Sequence, residues 1–361
     1  MRQTFLEINI DNFKNNVKEI KRYYGSDVTI MPVIKANAYG TYINKQIDLI
    51  NEFDIVAVAI VDEGIALRNL GYNKEIFILN QPDIEEIDEI IENDLTIGIS
   101  SVEFLKELKN ITQKLKVHIE LETGMGRTGV NINNIDWFAK EIKENENIIV
   151  EGVYTHLSSA DIDFEYTNKQ LKIFRDGKIK LKKYFDFKYV HSLASNGIQN
   201  FKSDEFNLIR PGIILYGYES NDKTLEKINI KPVAKLKSKI NFIKEVEKDT
   251  SISYSRKFIT KGKTKIATVP IGYADGIPRT LSNKGFVVVN GRKVPIVGNV
   301  CMDSFMIDVT NIEDVKVGDF AYIWDNELIK LEEVASLCDT INYEIISRIS
   351  DRVPRIMISE K

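Results

Sequence analysis

Over the first 217 residues, short apolar runs alternate with stretches whose apolar positions recur at helical spacing. The runs are "TIMPVIK" (29–35), "IVAVAIV" (55–61), "EIFILN" (75–80), "LTIGIS" (95–100), "KVHIELE" (116–122), "IIVEGVYTHL" (148–157), "YVHSLAS" (189–195) and "NLIRPGIILYG" (207–217). They show little strict alternation, as expected of strands buried on both faces. Segments such as "INKQIDLINEF", "DEGIALRNLGY", "DIEEIDEIIEN", "SVEFLKELKNITQKL" and "NIDWFAKEIKENEN" lie between them and read as helices. Eight strand-helix units predict a closed (β/α)8 TIM-type barrel rather than an open doubly wound sheet, with a weak last helix at "NGIQNF".

After about Lys231 the pattern changes. "AKLKSKINFIKEV", "TKIATVPIG", "GFVVVNGRKVPIVGNV" and "SFMIDVT" are strand-like, with a hairpin signal at Asn290-Gly291, and helical spacing returns only in "LEEVASLCDTINYEIISRIS". The expected α/β architecture is a barrel over residues 1–229 followed by a mainly β C-terminal domain over 230–361, packed together without a linker.

Composition narrows the partners. The 49 basic and 53 acidic residues nearly cancel, so no electrostatic footprint for nucleic acid is present. No long uncharged apolar run suits a membrane span, and two cysteines, Cys301 and Cys338, are too few for a disulfide framework. A cytoplasmic protein acting on a small molecule is expected, with no metal site.

In a parallel barrel the C-terminal strand ends form the functional face. That rule brings together Lys35, Glu120 and Glu122 with Arg127, His156, Ser195 and Asn196, and Arg210 with Gly212. Lys35 closes an apolar run in "MPVIKANAYG". It either snorkels into water or is a desolvated amine of lowered pKa, able to form a Schiff base with an aldehyde. Singly, each residue has a structural explanation; convergence on one rim favours chemistry.

Seven blocks in order, "VIKANAYG", "ETGMGRTG", "THLSSAD", "RPGIILYG", "SISYSRKF", "IGYADG" and "GNVCMDSFMIDVT", resemble the signature blocks of the alanine racemase family. The resemblance runs nearly the whole length. It implies a pyridoxal 5′-phosphate (PLP) cofactor, a homodimer with shared active sites, and racemisation of an amino acid, chiefly alanine, supplying D-alanine for peptidoglycan. Removing an α-proton from one face and returning it on the other calls for two bases. By resemblance these are Lys35, which also holds PLP, on the D side and Tyr254 of the partner subunit on the L side. His156 would sit beside that tyrosine and bond to Arg210, which faces the cofactor's pyridine nitrogen. Being only a donor, an arginine leaves that nitrogen unprotonated. The resemblance assigns phosphate binding to Tyr39, to Ser195 or Asn196, and to the backbone of Gly212 and Ile213. Arg127 matches the arginine reaching the cofactor's phenolic oxygen, Met302 and Asp303 a partner-subunit loop that meets the substrate carboxylate, and Tyr273 a tyrosine lining the entrance.

Two positions depart from the family pattern. Glu120 stands where a carbamylated lysine is frequent and supplies a built-in anion to orient Arg127. Asp351 replaces a tyrosine that helps hold phosphate and shape the substrate pocket; it either widens the pocket, admitting serine or a cationic amino acid, or pairs with Arg352 or Arg348 outside it. Two other readings compete. A barrel-type amino-acid decarboxylase would carry a cysteine-bearing C-terminal motif, which is not found. A non-catalytic PLP-binding barrel protein would lack the 130 or so residues after the barrel.

Overall fold

The computed structural model describes residues 3–219 and 228–359. Strand β1 (Thr4–Asn9) and a helix over Ile10–Tyr24 precede the barrel. The barrel strands are β2 (Thr29–Ile30), β3 (Ile55–Val58), β4 (Glu75–Ile78), β5 (Leu95–Ile99), β6 (Leu115–Glu120), β7 (Ile148–Tyr154), β8 (Tyr189–His191) and β9 (Leu208–Ile209). β3 to β8 form a continuous parallel sheet, and β2 pairs with β9. Parallel bridges Val33–Ala57 and Ala194–Arg210 join the two pieces into a ring, so the expected eight-stranded barrel is present.

The absence of alternation in these strands has a direct cause. In β3 every residue is buried, but Ile55 and Ala57 face a cluster inside the barrel with Met31, Val33, Phe77, Tyr154, Tyr189 and Leu208, while Val56 and Val58 face the helical shell. Both faces are covered, so neither is polar.

The second sheet has nine strands. β10 (Ala234–Lys239), β11 (Phe242–Val246), β14 (Thr264–Val269), β15 (Phe286–Val289), β16 (Arg292–Val297), β17 (Phe305–Asp308), β18 (Phe320–Trp324) and β19 (Arg355–Ile358) join β1 in the order β11-β14-β17-β16-β15-β18-β10-β1-β19. The short hairpin of β12 (Ser251–Ile252) and β13 (Phe258–Ile259) stands apart from it. Asn290 (φ 48°) and Gly291 (φ 71°) form the predicted β15–β16 turn.

The sequence pattern names no strand before Thr29, yet β1 lies inside the second sheet, antiparallel to β10 and parallel to β19. The chain therefore begins in the β layer before entering the barrel. That crossing ties the two units together by backbone hydrogen bonds as well as by a shared hydrophobic core.

Candidate active site

Lys35 follows the first barrel strand at the head of an uncommon piece of backbone. Ala36, Asn37, Ala38 and Tyr39 all have φ between 52° and 55°, a left-handed turn of four non-glycine residues. Such residues cost about 1–2 kcal/mol each, so the turn persists only if its surroundings fix it. Glu63 does much of this, its carboxylate accepting from Ala36 N–H at 2.6 Å and Ala59 N–H at 2.8 Å. Gly40 then passes so close to the chain that a Cβ would lie 2.5 Å from the Ile346 carbonyl oxygen. The turn holds Lys35 at the barrel mouth, where burial, reinforced by Arg127, lowers its pKa. Among the described residues no carboxylate lies within ion-pair distance of it. The structure thus favours the desolvated amine over the snorkelling one.

Below Lys35 the barrel is polar at its centre. Arg210 is 2% exposed, and both terminal nitrogens of its guanidinium are hydrogen-bonded. Nη1 donates to His191 Nδ1 at 2.5 Å; Nη2 donates to the carbonyls of Thr155 (2.8 Å) and Ser192 (3.1 Å) and reaches His156 Nδ1 at 3.4 Å. Burial lowers its pKa to about 10, which still leaves it charged at neutral pH. It therefore acts only as donor, so His156 accepts at Nδ1 and carries its proton on Nε2. Burial and the neighbouring Arg210, Arg127 and Lys35 push the His156 pKa down to about 3, and the ring is neutral.

Glu120, 5% exposed, is hydrogen-bonded to Thr128 and Tyr154. Burial raises its pKa, against the pull of those bonds and of Arg127 and Arg210. The expected anion is in place beside both arginines, but no direct ion pair with Arg127 is formed. The Arg127 loop is shaped instead by Glu122, whose carboxylate accepts from the N–H groups of Gly124 and Gly126.

On the far rim, Ser195 Oγ accepts from Gly212 N–H at 3.1 Å and approaches Ile214 N–H at 3.5 Å. Gly212 leaves room for Tyr39, since a Cβ there would lie 2.5 Å from the Tyr39 hydroxyl and 3.7 Å from Ser195 Oγ. Tyr39, Ser195 and Gly212 thus meet in one small recess of hydroxyls and backbone N–H groups, with Ile213 next along the chain, which is the chemistry a phosphate needs. Of the pair Ser195 and Asn196, the serine hydroxyl contacts the glycine loop directly. The site's donors fit PLP: an amine for its aldehyde, a fixed cation for its ring nitrogen and this recess for its phosphate.

Tyr254, Tyr273, Met302 and Asp303 are elsewhere, on the outer face of the β domain. Tyr254 is 71% exposed, Met302 52% and Tyr273 43%. Their loops are braced: Ser253 Oγ donates to Asn299 O at 2.7 Å, Asn299 Nδ2 to Tyr254 O at 2.9 Å, Tyr273 N–H to Cys301 O and Ala274 N–H to Met302 O, both at 3.0 Å. Gly298 has no room for a Cβ, which would lie 2.6 Å from that of Ser253. Arg352 fixes Asp303 at 2.6 Å. A braced, solvent-facing platform of side chains is the result.

Asp351 takes neither arginine. Arg352 pairs with Asp303 and Asp275, and Arg348 with Glu344, whereas Asp351 accepts from the Tyr42 hydroxyl. The alternative in which Asp351 pairs with Arg352 or Arg348 is therefore corrected: the aspartate is tied to the loop after Lys35, and the two arginines are turned to Asp303, Asp275 and Glu344. Sequence reasoning also passed over Tyr42, Glu63, Tyr154, His118 and His191. For the histidines a signal existed, since the chain has only three and all of them lie in the apolar strand runs.

Barrel, β domain and amine-bearing mouth together define a pyridoxal-phosphate enzyme of the parallel-barrel type. Comparison with known proteins makes this specific. Residues 8–220 match the N-terminal domain of alanine racemase and residues 233–357 its C-terminal domain. An alanine racemase 2 of Caldanaerobacter subterraneus subsp. tengcongensis is 40% identical, with 99% of this chain and 95% of that protein covered. The solved alanine racemase of Clostridium difficile 630 superposes with a TM-score of 0.94 at 34% identity, covering 100% of this chain and 97% of that one. That of Bacillus anthracis, with bound L-Ala-P, gives 0.92 at 36% identity, covering 99% and 95%. The chain belongs to the alanine racemase family of PLP-dependent isomerases.

Proposed function

We propose that this protein interconverts L- and D-alanine in a cytoplasmic homodimer, with Lys35 of one chain and Tyr254 of the partner subunit as the two bases. The supporting observation is the separation of the machinery: Lys35, Arg127, His156 and Arg210 line the barrel mouth, while Tyr254 is presented outward on a braced platform and its hydroxyl has no partner among the described residues. A second chain completes the site. When bound, PLP supplies the electron sink that acidifies the substrate's α-C–H.

The chain's own groups then divide the work. The lowered pKa of Lys35 makes its neutral amine more accessible for accepting a proton on the D side. Neutral His156 offers the partner's Tyr254 a hydrogen bond from Nε2–H, with the Arg210 charge behind the imidazole. Arg127 orients the ring oxygen and the substrate carboxylate; Tyr39, Ser195, Gly212 and Ile213 hold phosphate, with Asn196 beside them. Met302, Asp303 and Tyr273 from the platform close over the substrate and exclude water. D-Alanine made this way would feed peptidoglycan synthesis.

A second reading, a range extended to serine, rests on Asp351, whose carboxylate lies beside the Lys35 loop where it can accept from an added hydroxyl.

Subunit complementation tests the proposal. Lys35→Ala and Tyr254→Phe should each be nearly inactive, and their heterodimer should regain one intact site. Heterodimers without activity would place both bases in one chain.

A further inference from the structure

At the floor of the barrel, on the side away from Lys35, three buried polar atoms face one another without partners among the described residues: Glu75 Oε1, His118 Nε2 and Glu151 Oε2. They lie within 4.8 Å of one another, with His118 Nε2 at 3.9 Å from Glu75 Oε1. His118 is completely buried. Its ring stacks on Phe77 (centroids 4.6 Å apart) and lies against Gly152, where a Cβ would come within 2.8 Å of it, so the ring is locked in plane.

Two carboxylates and an imidazole at such separations suit either a metal ion or a small donor-acceptor molecule. The tautomers decide. Arg210 can only donate, so His191 accepts at Nδ1 and carries its proton on Nε2. That proton is donated to His118 Nδ1 at 2.9 Å, which leaves the His118 proton on Nε2, aimed at the two carboxylates. A metal would need a lone pair at that position. A water needs what is offered: it accepts from His118 Nε2–H and donates one hydrogen to Glu75 and one to Glu151. Glu75 is itself held through its other oxygen by Lys188 (3.0 Å) and Tyr189 (3.2 Å).

We propose that Glu75, His118 and Glu151 form a single-water site that terminates a one-directional chain from Arg210 through His191. His118 is then a positioning residue, fixing the side of Arg210 opposite the cofactor. The tautomer order stands on the intrachain geometry alone, whereas the consequence for the cofactor rests on the role proposed for Arg210.

Nitrogen-15 labelling of histidine in the holoenzyme tests the first part, since only three residues contribute signals. All three rings should be neutral with the proton on Nε2, and manganese(II) should leave the His118 signals unbroadened. A His118 proton on Nδ1, or broadening by manganese(II), would overturn the water site. For the second part, His118→Phe leaves the His191 proton unpaired and should weaken PLP retention by roughly tenfold to a hundredfold. His118→Gln, which can both accept and donate, should restore most of it. Equal PLP retention in both variants would refute the positioning role while leaving the tautomer order intact; should the Phe variant fail to fold, a Gln variant with native His191 signals and native retention supports the role, and one with native signals but weak retention refutes it.

Discussion

Acidification should destabilise this protein through its histidines, because His118 and His191 are fully buried, His156 is partly so, and all three are held neutral. Folded His118 and His156 have pKa values pushed down to about 3, and that of His191 lies well below its ordinary value, burial being the largest cause in each. The unfolded chain takes up protons near pH 6.5 while the folded chain does not, so stability falls as pH drops below about 6.5. For a group whose folded pKa lies well below 5, the loss between pH 8 and pH 5 is about 2 kcal/mol. For the fully buried His118 alone this is a sizeable fraction of the whole stability of many domains. Glu75 and Glu120 act in the opposite sense: their raised pKa values let the folded state bind protons first, which adds stability as pH falls towards 4.5. The variant that isolates one histidine is His118→Gln. Urea unfolding of the holoenzyme at pH 8, 7, 6 and 5 should show a pH-dependent loss smaller by about 2 kcal/mol in the variant, whatever its stability at pH 8. Parallel curves for the two proteins would refute the argument that His118 is held neutral.

Glu120→Gln removes the anion between Arg127 and Arg210; turnover should fall by about tenfold, the cost of one charge-assisted interaction, and wild-type activity should be indifferent to bicarbonate removal. Gly212→Ala places a Cβ 2.5 Å from the Tyr39 hydroxyl, and the purified protein should melt near the wild-type temperature but carry less PLP by its visible absorbance. Asp351→Tyr should lower the ratio of serine to alanine turnover by removing an acceptor beside the Lys35 loop; an unchanged ratio would show that Asp351 does not set specificity.

The barrel was legible because its strands are short, apolar on both faces and separated by amphipathic helices, and local pattern suffices for that. β1 was not, because six residues gain strand character only from β10 and β19, more than 200 positions away. The rim residues Lys35, His156, Ser195 and Arg210 were reachable by the rule that strand ends converge. The partners of Asp351 were not: the sequence places Arg352 beside it, yet the fold turns that arginine to Asp303 and brings Tyr42 across 309 positions instead.

The sequence by itself determined the barrel, the β domain and the family, since these depend on local periodicity and on ordered motifs. Only the tertiary structure decided which groups are charged and which way their protons point. His118 and His191 are unremarkable letters in two apolar runs until the closed barrel stacks them beneath Arg210, shields them from bulk solvent, and lets one fixed cation order the hydrogen bonds below it.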